Sequence, residues 1–171
     1  MRLLILAIVM LTGCASNQQN QVAAPTKVVA TDSYTNMAAI GAVTAQNTLV
    51  LNVTKTCSRL SPGLEKQSHD SLFNWEQRNK EYRVAFGNFL GEVAINIDRS
   101  KGGAAADEFF IAVESQSKAT AEKFINSAIF SDPEPIKACG VVLAMINDGV
   151  SDIKNIKKYK NEIESIHYHY H

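Results

Sequence analysis

The sequence predicts an all-α protein, a four-helix antiparallel up-down bundle, on three observations. From Tyr34 onward, apolar residues recur at steps of three and four, the period of one helix face. The punctuation is helical as well. Ser61-Pro62 and Asp132-Pro133-Glu134 each read as an N-cap followed by proline in the first turn, and Gly102-Gly103 reads as a break between helices. The connections between the periodic stretches are short, which favours antiparallel neighbours. Composition agrees with one globular domain: 171 residues, 46% apolar and 20% charged. Lys plus Arg balance Asp plus Glu at 17 each. That balance argues against nucleic acid as a partner, because phosphate binding needs a basic excess or stripe.

The chain opens with Met1 and Arg2, a short positive start, followed by an unbroken apolar run over residues 3–11. The run is too short to span a bilayer, which takes about 20 residues, but it suits a secretory signal. It ends in Leu11-Thr12-Gly13-Cys14. A bulky apolar residue, two small residues and a cysteine resemble the lipobox of bacterial lipoprotein precursors. The resemblance implies cleavage before Cys14, with residues 1–13 as signal peptide and acyl chains on the Cys14 sulfur and new amine. Ala15 and Ser16 follow the cysteine, with no Asp. In that family this implies carriage to the outer membrane, anchored by lipid and facing the periplasm, or, in a cell without an outer membrane, a place on the outside of the plasma membrane. An ordinary signal peptide or a short membrane anchor is the alternative reading of the same run. Residues 14–33 then read as a lipidated flexible tether. The stretch is rich in Asn, Gln, Ser, Thr and Ala and has no aromatic residue, so it cannot bury enough apolar surface to order itself. Its reach is about 25 Å.

The helical domain is 34–171. The first helix is expected at 35–59. Within it, TLVLNVT at 48–54 alternates and is β-branched enough for a strand; helix is preferred because nothing nearby offers a partner strand. The second is expected at 63–99, where Leu72, Trp75, Asn79, Tyr82, Phe86, Phe89, Val93 and Ile97 share one face. The third is expected at 104–130, with Phe109, Phe110, Val113, Phe124 and Ala128 inside. The fourth starts near Pro133 and is expected to reach Ser165, with Ile136, Cys139, Leu143, Ile146, Val150 and Ile153 in its apolar row.

With Cys14 lipidated as the resemblance implies, Cys57 and Cys139 remain, and an oxidising periplasm pairs two such cysteines. Up-down order brings the end of the first helix and the start of the fourth to the same end of the bundle. Closing a loop of about 80 residues stabilises by roughly 4–5 kcal/mol on the chain-entropy account. A redox or metal pair is the alternative, but there is no C-x-x-C and no histidine close in sequence to either cysteine.

No catalytic or cofactor motif appears: no G-x-S-x-G, H-E-x-x-H, P-loop or G-x-G-x-x-G after a strand. The chain therefore reads as a non-enzyme without a cofactor. The acids Glu76, Glu81, Glu92, Asp107, Glu108 and Glu114 read as solvated helix faces. His69 is the only histidine in the body of the fold, so no metal set is expected there, and His69-Asp70 reads as an exposed pair. The tail carries His167, His169 and His171 at alternate positions, which would point the same way if extended and could bind zinc, copper or nickel. A terminal segment is normally mobile unless tied down, so the preferred reading is an adventitious binder or an unremarkable end, and no metal site is expected.

The most distinctive cluster is Trp75, Arg78, Asn79 and Tyr82, the candidate partner-binding residues. Asn79 fills a slot where the period expects an apolar side chain. It is either a specifying core contact, which must be hydrogen-bonded, or part of a recognition groove. Gly87 and Gly91 mark either the close approach of another helix or a bend. Lys154, Lys157, Lys158 and Lys160 read as a solvated face of the last helix, or as a contact to anionic lipid or wall polymer.

Together these features predict a non-enzymatic binding or assembly module tethered to the envelope, with an envelope protein as partner. The layout resembles small four-helix secretion pilotins. The resemblance rests on the lipobox, on Cys57 after an apolar helix, and on Lys137-Ala138-Cys139 leading to Leu143. It covers the layout of the whole domain but no diagnostic motif, and the last helix here is longer. It implies binding the tail of a secretin subunit and carrying it to the outer membrane; no binding residues are carried over. The second reading is a periplasmic inhibitor or immunity lipoprotein against a toxin or wall-degrading enzyme.

Overall fold

A computed structural model describes residues 33–171. The expected signal peptide, the expected lipidation at Cys14 and the expected tether through residue 32 lie outside the described residues. Within them the chain is all-helical, without a strand, and carries one disulfide. Six α-helices follow one another: α1 (Ser33–Leu60), α2 (Glu65–Arg78), α3 (Lys80–Lys101), α4 (Gly103–Ile125), α5 (Pro135–Asn147) and α6 (Lys160–Tyr170). The four expected helical segments are all present, but two of them are divided. The second is interrupted at Asn79, and the fourth stops at Asn147 and resumes at Lys160.

Helix α1 is the centre of the packing, with α2, α4, α5 and α6 all against it. Its buried residues Ala39, Ile40, Val43, Val50, Val53 and Cys57 keep the three-and-four step along its whole length. The stretch 48–54 lies inside this helix, as preferred from sequence. Its β-branched residues turn inward, and buried Thr54 returns its hydroxyl proton to the Val50 carbonyl at 3.0 Å.

Helix α4 packs on α1 and α3, and its buried residues are the small Ala106, Ser117 and Ala121 and then Ile125, with Ile129 buried just past its end. Small side chains let two helix backbones approach closely. The residues singled out along this segment lie on its flanks: Phe109, Val113, Phe124 and Ala128 are half-buried and Phe110 is exposed. The last turn widens into a π-turn at Asn126–Phe130, closed by the Ser131 amide donating to the Asn126 carbonyl at 2.9 Å.

The punctuation is partly as expected. Ser61 Oγ accepts from the Gly63 amide at 3.3 Å, with Pro62 opening a short turn that runs into α2. Gly102, at φ 89°, separates α3 from α4. Asp132 Oδ1 accepts from the Glu134 amide at 2.8 Å, but α5 begins two residues later than expected, with Pro135 in its first turn.

The expected fourth helix ends early for a definite reason. The Val150 amide donates to the Met145 carbonyl at 3.0 Å, the Gly149 amide donates to the Ile146 carbonyl at 3.2 Å, and Gly149 has φ 81°. This is a Schellman stop with glycine in the left-handed position. Cys139, Leu143, Ile146 and Ile153 of the expected row are buried, whereas Ile136 and Val150 are exposed. Lys154, Lys157, Lys158 and Lys160 consequently lie in and just after two short turns between α5 and α6 and not along one helix face.

Cys57 near the end of α1 and Cys139 near the start of α5 are joined, with Cα atoms 5.5 Å apart and both side chains fully buried. No helix of the described residues is long and apolar enough to cross a membrane.

Candidate functional site

The interruption at Asn79 organises the interior. Its φ of −103° and ψ of 7° leave the helical range, so α2 and α3 meet there as separate helices. The freed side chain is only 1% exposed and every polar atom of it is used. Asn79 Nδ2 donates to the Trp75 carbonyl at 2.8 Å and to Asp152 Oδ1 at 3.0 Å, while its Oδ1 accepts from the Ile153 amide at 2.7 Å. Asp152, 3% exposed, also receives Arg78 Nε, 3.0 Å from Oδ2. Arg78 Nη2 donates to the Ile146 carbonyl at 2.6 Å. Trp75 Nε1 donates to the Ser151 carbonyl at 2.9 Å, and Gln46 of α1 donates to the same oxygen at 3.0 Å. The end of α2 thus clasps the connection between α5 and α6, and the buried carboxylate has charged and neutral donors around it.

This settles where three of the four candidate partner-binding residues lie. Trp75 and Asn79 are buried and present no surface to a partner, and Arg78 is engaged by Asp152 and Ile146. Of the two readings of Asn79, the specifying core contact is the one the geometry describes. Asp152, which the sequence did not single out, is its counterpart. The sequence signal lay in Asn147-Asp148-Gly149, a helix stop that left Asp152 outside any helix.

Tyr82 lies elsewhere, on the seam between α3 and α6. Its ring stacks on His167, with centroids 4.2 Å apart and planes 21° from parallel, and its hydroxyl donates to Glu164 Oε1 at 2.9 Å. Burial, and then the Glu164 carboxylate, push the Tyr82 phenol up to about 12. Further along the seam the Phe89 and Tyr170 rings sit 5.1 Å apart, and Asn88 Nδ2 donates to the Tyr170 carbonyl at 3.1 Å.

The tail is helical and not extended: α6 carries His167 and His169 and runs through Tyr170, and the His171 amide caps it by donating to the His167 carbonyl at 3.1 Å. In a helix, alternate positions diverge and positions four apart align. His167 and His171 therefore share a face, with ring centroids 5.1 Å apart, and both turn toward Glu81 of α3. His69 remains exposed on α2 beside Asp70, whose carboxyl is held below its ordinary value chiefly by the hydrogen bond from Lys66.

A third feature is an open trough between α1 and α3, lined by Ile40, Val43, Val84, Phe86 and Leu90. Lys80 and Arg83 stand on its rim, Arg83 steadied by Glu76 at 3.2 Å. Gly87 lies in its wall, and a Cβ there would meet nothing within 4 Å; the same is true of Gly91.

No family model matches the chain, and neither a curated protein nor a solved structure matches it.

Proposed function

We propose that this chain is a lipid-anchored, periplasm-facing outer-membrane lipoprotein whose helical body binds another envelope protein as a non-enzymatic assembly accessory. The observation that carries the reading is the run over residues 3–11 ending in Leu11-Thr12-Gly13-Cys14. The buried Cys57–Cys139 bridge supports it, because such a bond persists in an oxidising compartment. The architecture that goes with this reading is a four-segment up-down bundle behind a signal peptide and tether, the arrangement for which secretion pilotins are the resemblance.

The surface assigned to the partner is the trough between α1 and α3. Its apolar lining and its cationic rim of Lys80 and Arg83 suit an amphipathic segment with an acidic flank. Gly87 leaves room for that segment's backbone to come close.

The test is in-cell photocrosslinking from position 80, with and without the Val84→Asp change. Val84 is exposed, so the change leaves folding intact. One envelope protein crosslinked in the wild type and lost in the variant is the expected result. Crosslinking to nothing, or to the same protein at undiminished yield in the variant, contradicts the assignment. The identity of the protein separates a secretin-type assembly role from inhibition of a toxin or wall enzyme.

A further inference from the structure

We propose that Glu81, His167 and His171 form a binding site for a divalent cation of the zinc type, which ties α6 to α3. The three residues each offer one ligand atom, all within 4.8 Å of one another. Glu81 Oε2 lies 3.8 Å from His167 Nε2, and Glu81 Oε1 lies 3.6 Å from His171 Nε2. Those separations are too long for hydrogen bonds. They are close to the spacing of about 3.3 Å between donors that each sit about 2.0–2.1 Å from a tetrahedral zinc ion. With the set as a whole spread over up to 4.8 Å, rotation of the exposed Glu81 and half-exposed His171 side chains is what draws the three donors in around an ion.

A second observation points the same way. His167 Nε2 is buried and has no hydrogen-bond partner. A buried imidazole nitrogen without a partner is costly unless something occupies it. Its ring is already fixed by the Tyr82 stack, and Tyr82 is in turn fixed by Glu164. Ligand orientation by such outer contacts is a regular property of metal sites. His167 in the last turn of α6 and His171 capping it are four apart, where the carbonyl ends of the helix also favour a cation. Two imidazoles and one carboxylate suit zinc, nickel or copper and not calcium or magnesium, and three protein ligands leave one position open.

The experiment uses the detergent-solubilised full chain, stripped with EDTA and titrated with Zn2+ by calorimetry. Co2+ absorbance then reports the coordination geometry. One equivalent is expected to bind. Glu81→Gln and His171→Ala should each weaken binding by at least about tenfold. His169→Ala should leave it within about twofold, because position 169 lies about 200° round the helix from 167. Zn2+ should raise the Tm of the wild type and of His169→Ala by several degrees. It should not do so for Glu81→Gln, whose exposed position spares the fold. Absence of binding overturns the site. So does equal binding by Glu81→Gln together with weakened binding by His169→Ala, because the tail would then chelate on its own without α3.

Discussion

Asn79 Nδ2 and Asp152 Oδ1 meet at 3.0 Å across 73 residues of chain, both side chains buried. This bond and the Asn79 bond to the Ile153 amide hold the α2–α3 junction against the connection between α5 and α6. Asn79→Ala strands the buried Ile153 amide hydrogen and leaves Asp152 Oδ1 with Arg78 Nε, at 3.2 Å, as its remaining donor. It should cost about 2–4 kcal/mol in urea unfolding. Arg78→Met leaves the Asp152 carboxylate without its cation and should cost about 3 kcal/mol. The double variant should cost less than the sum, because the two donors share one acceptor.

Glycines in this fold separate by backbone and not by burial alone. Gly149 has φ 81°, and a Cβ there would sit 2.9 Å from Asp152 Oδ2. Gly149→Ala should destabilise by about 2 kcal/mol through backbone strain and displacement of Asp152. Gly87→Ala, within α3 and meeting nothing, should stabilise by about 0.5–1 kcal/mol. Denaturant midpoints of the two variants should move in opposite directions.

The disulfide spans a sequence separation of 82. Replacing both cysteines by alanine, or reducing the bond, should lower stability by roughly 4 kcal/mol on the chain-entropy account. Urea melts of oxidised and reduced protein check this, and equal midpoints would assign the bridge no part in stability.

Two phenols hold their protons unusually tightly. Burial, then Glu164, raises Tyr82 from 10 to about 12, and burial, then Glu92, raises Tyr170 likewise. Both folded values lie above the unfolded one. Their contribution is therefore complete below pH 10 and is lost as pH rises through about 12. Phenolate absorbance should show a late-titrating component in the native protein that shrinks in Tyr82→Phe.

How much of this was legible in the sequence depends on the range of the interaction involved. The helical class followed from local periodicity, and Trp75, Phe86 and Phe89 are buried as that face required. The cysteine pair followed from the expected compartment and from the expected order of the helices together. The interruption at Asn79 did not, because the three-and-four step runs straight through it and its partner Asp152 is distant in sequence. Nor did the end of α5, where Ile146, Val150 and Ile153 imitate a continuing helix while Gly149 terminates it. The Glu81–His167–His171 set was hidden by the alternating histidines. Their spacing suggests an extended face, whereas a helix selects positions 167 and 171 and discards 169.

The central claim is that Cys14 carries lipid and leaves the helical body on a tether facing an oxidising compartment. Intact-mass analysis of the protein extracted from membranes tests it most directly. The expected mass is that of a chain beginning at Cys14, heavier by its acyl chains, with Cys57 and Cys139 joined. A chain that retains residues 1–13, or one with an unmodified Cys14 thiol, would contradict it.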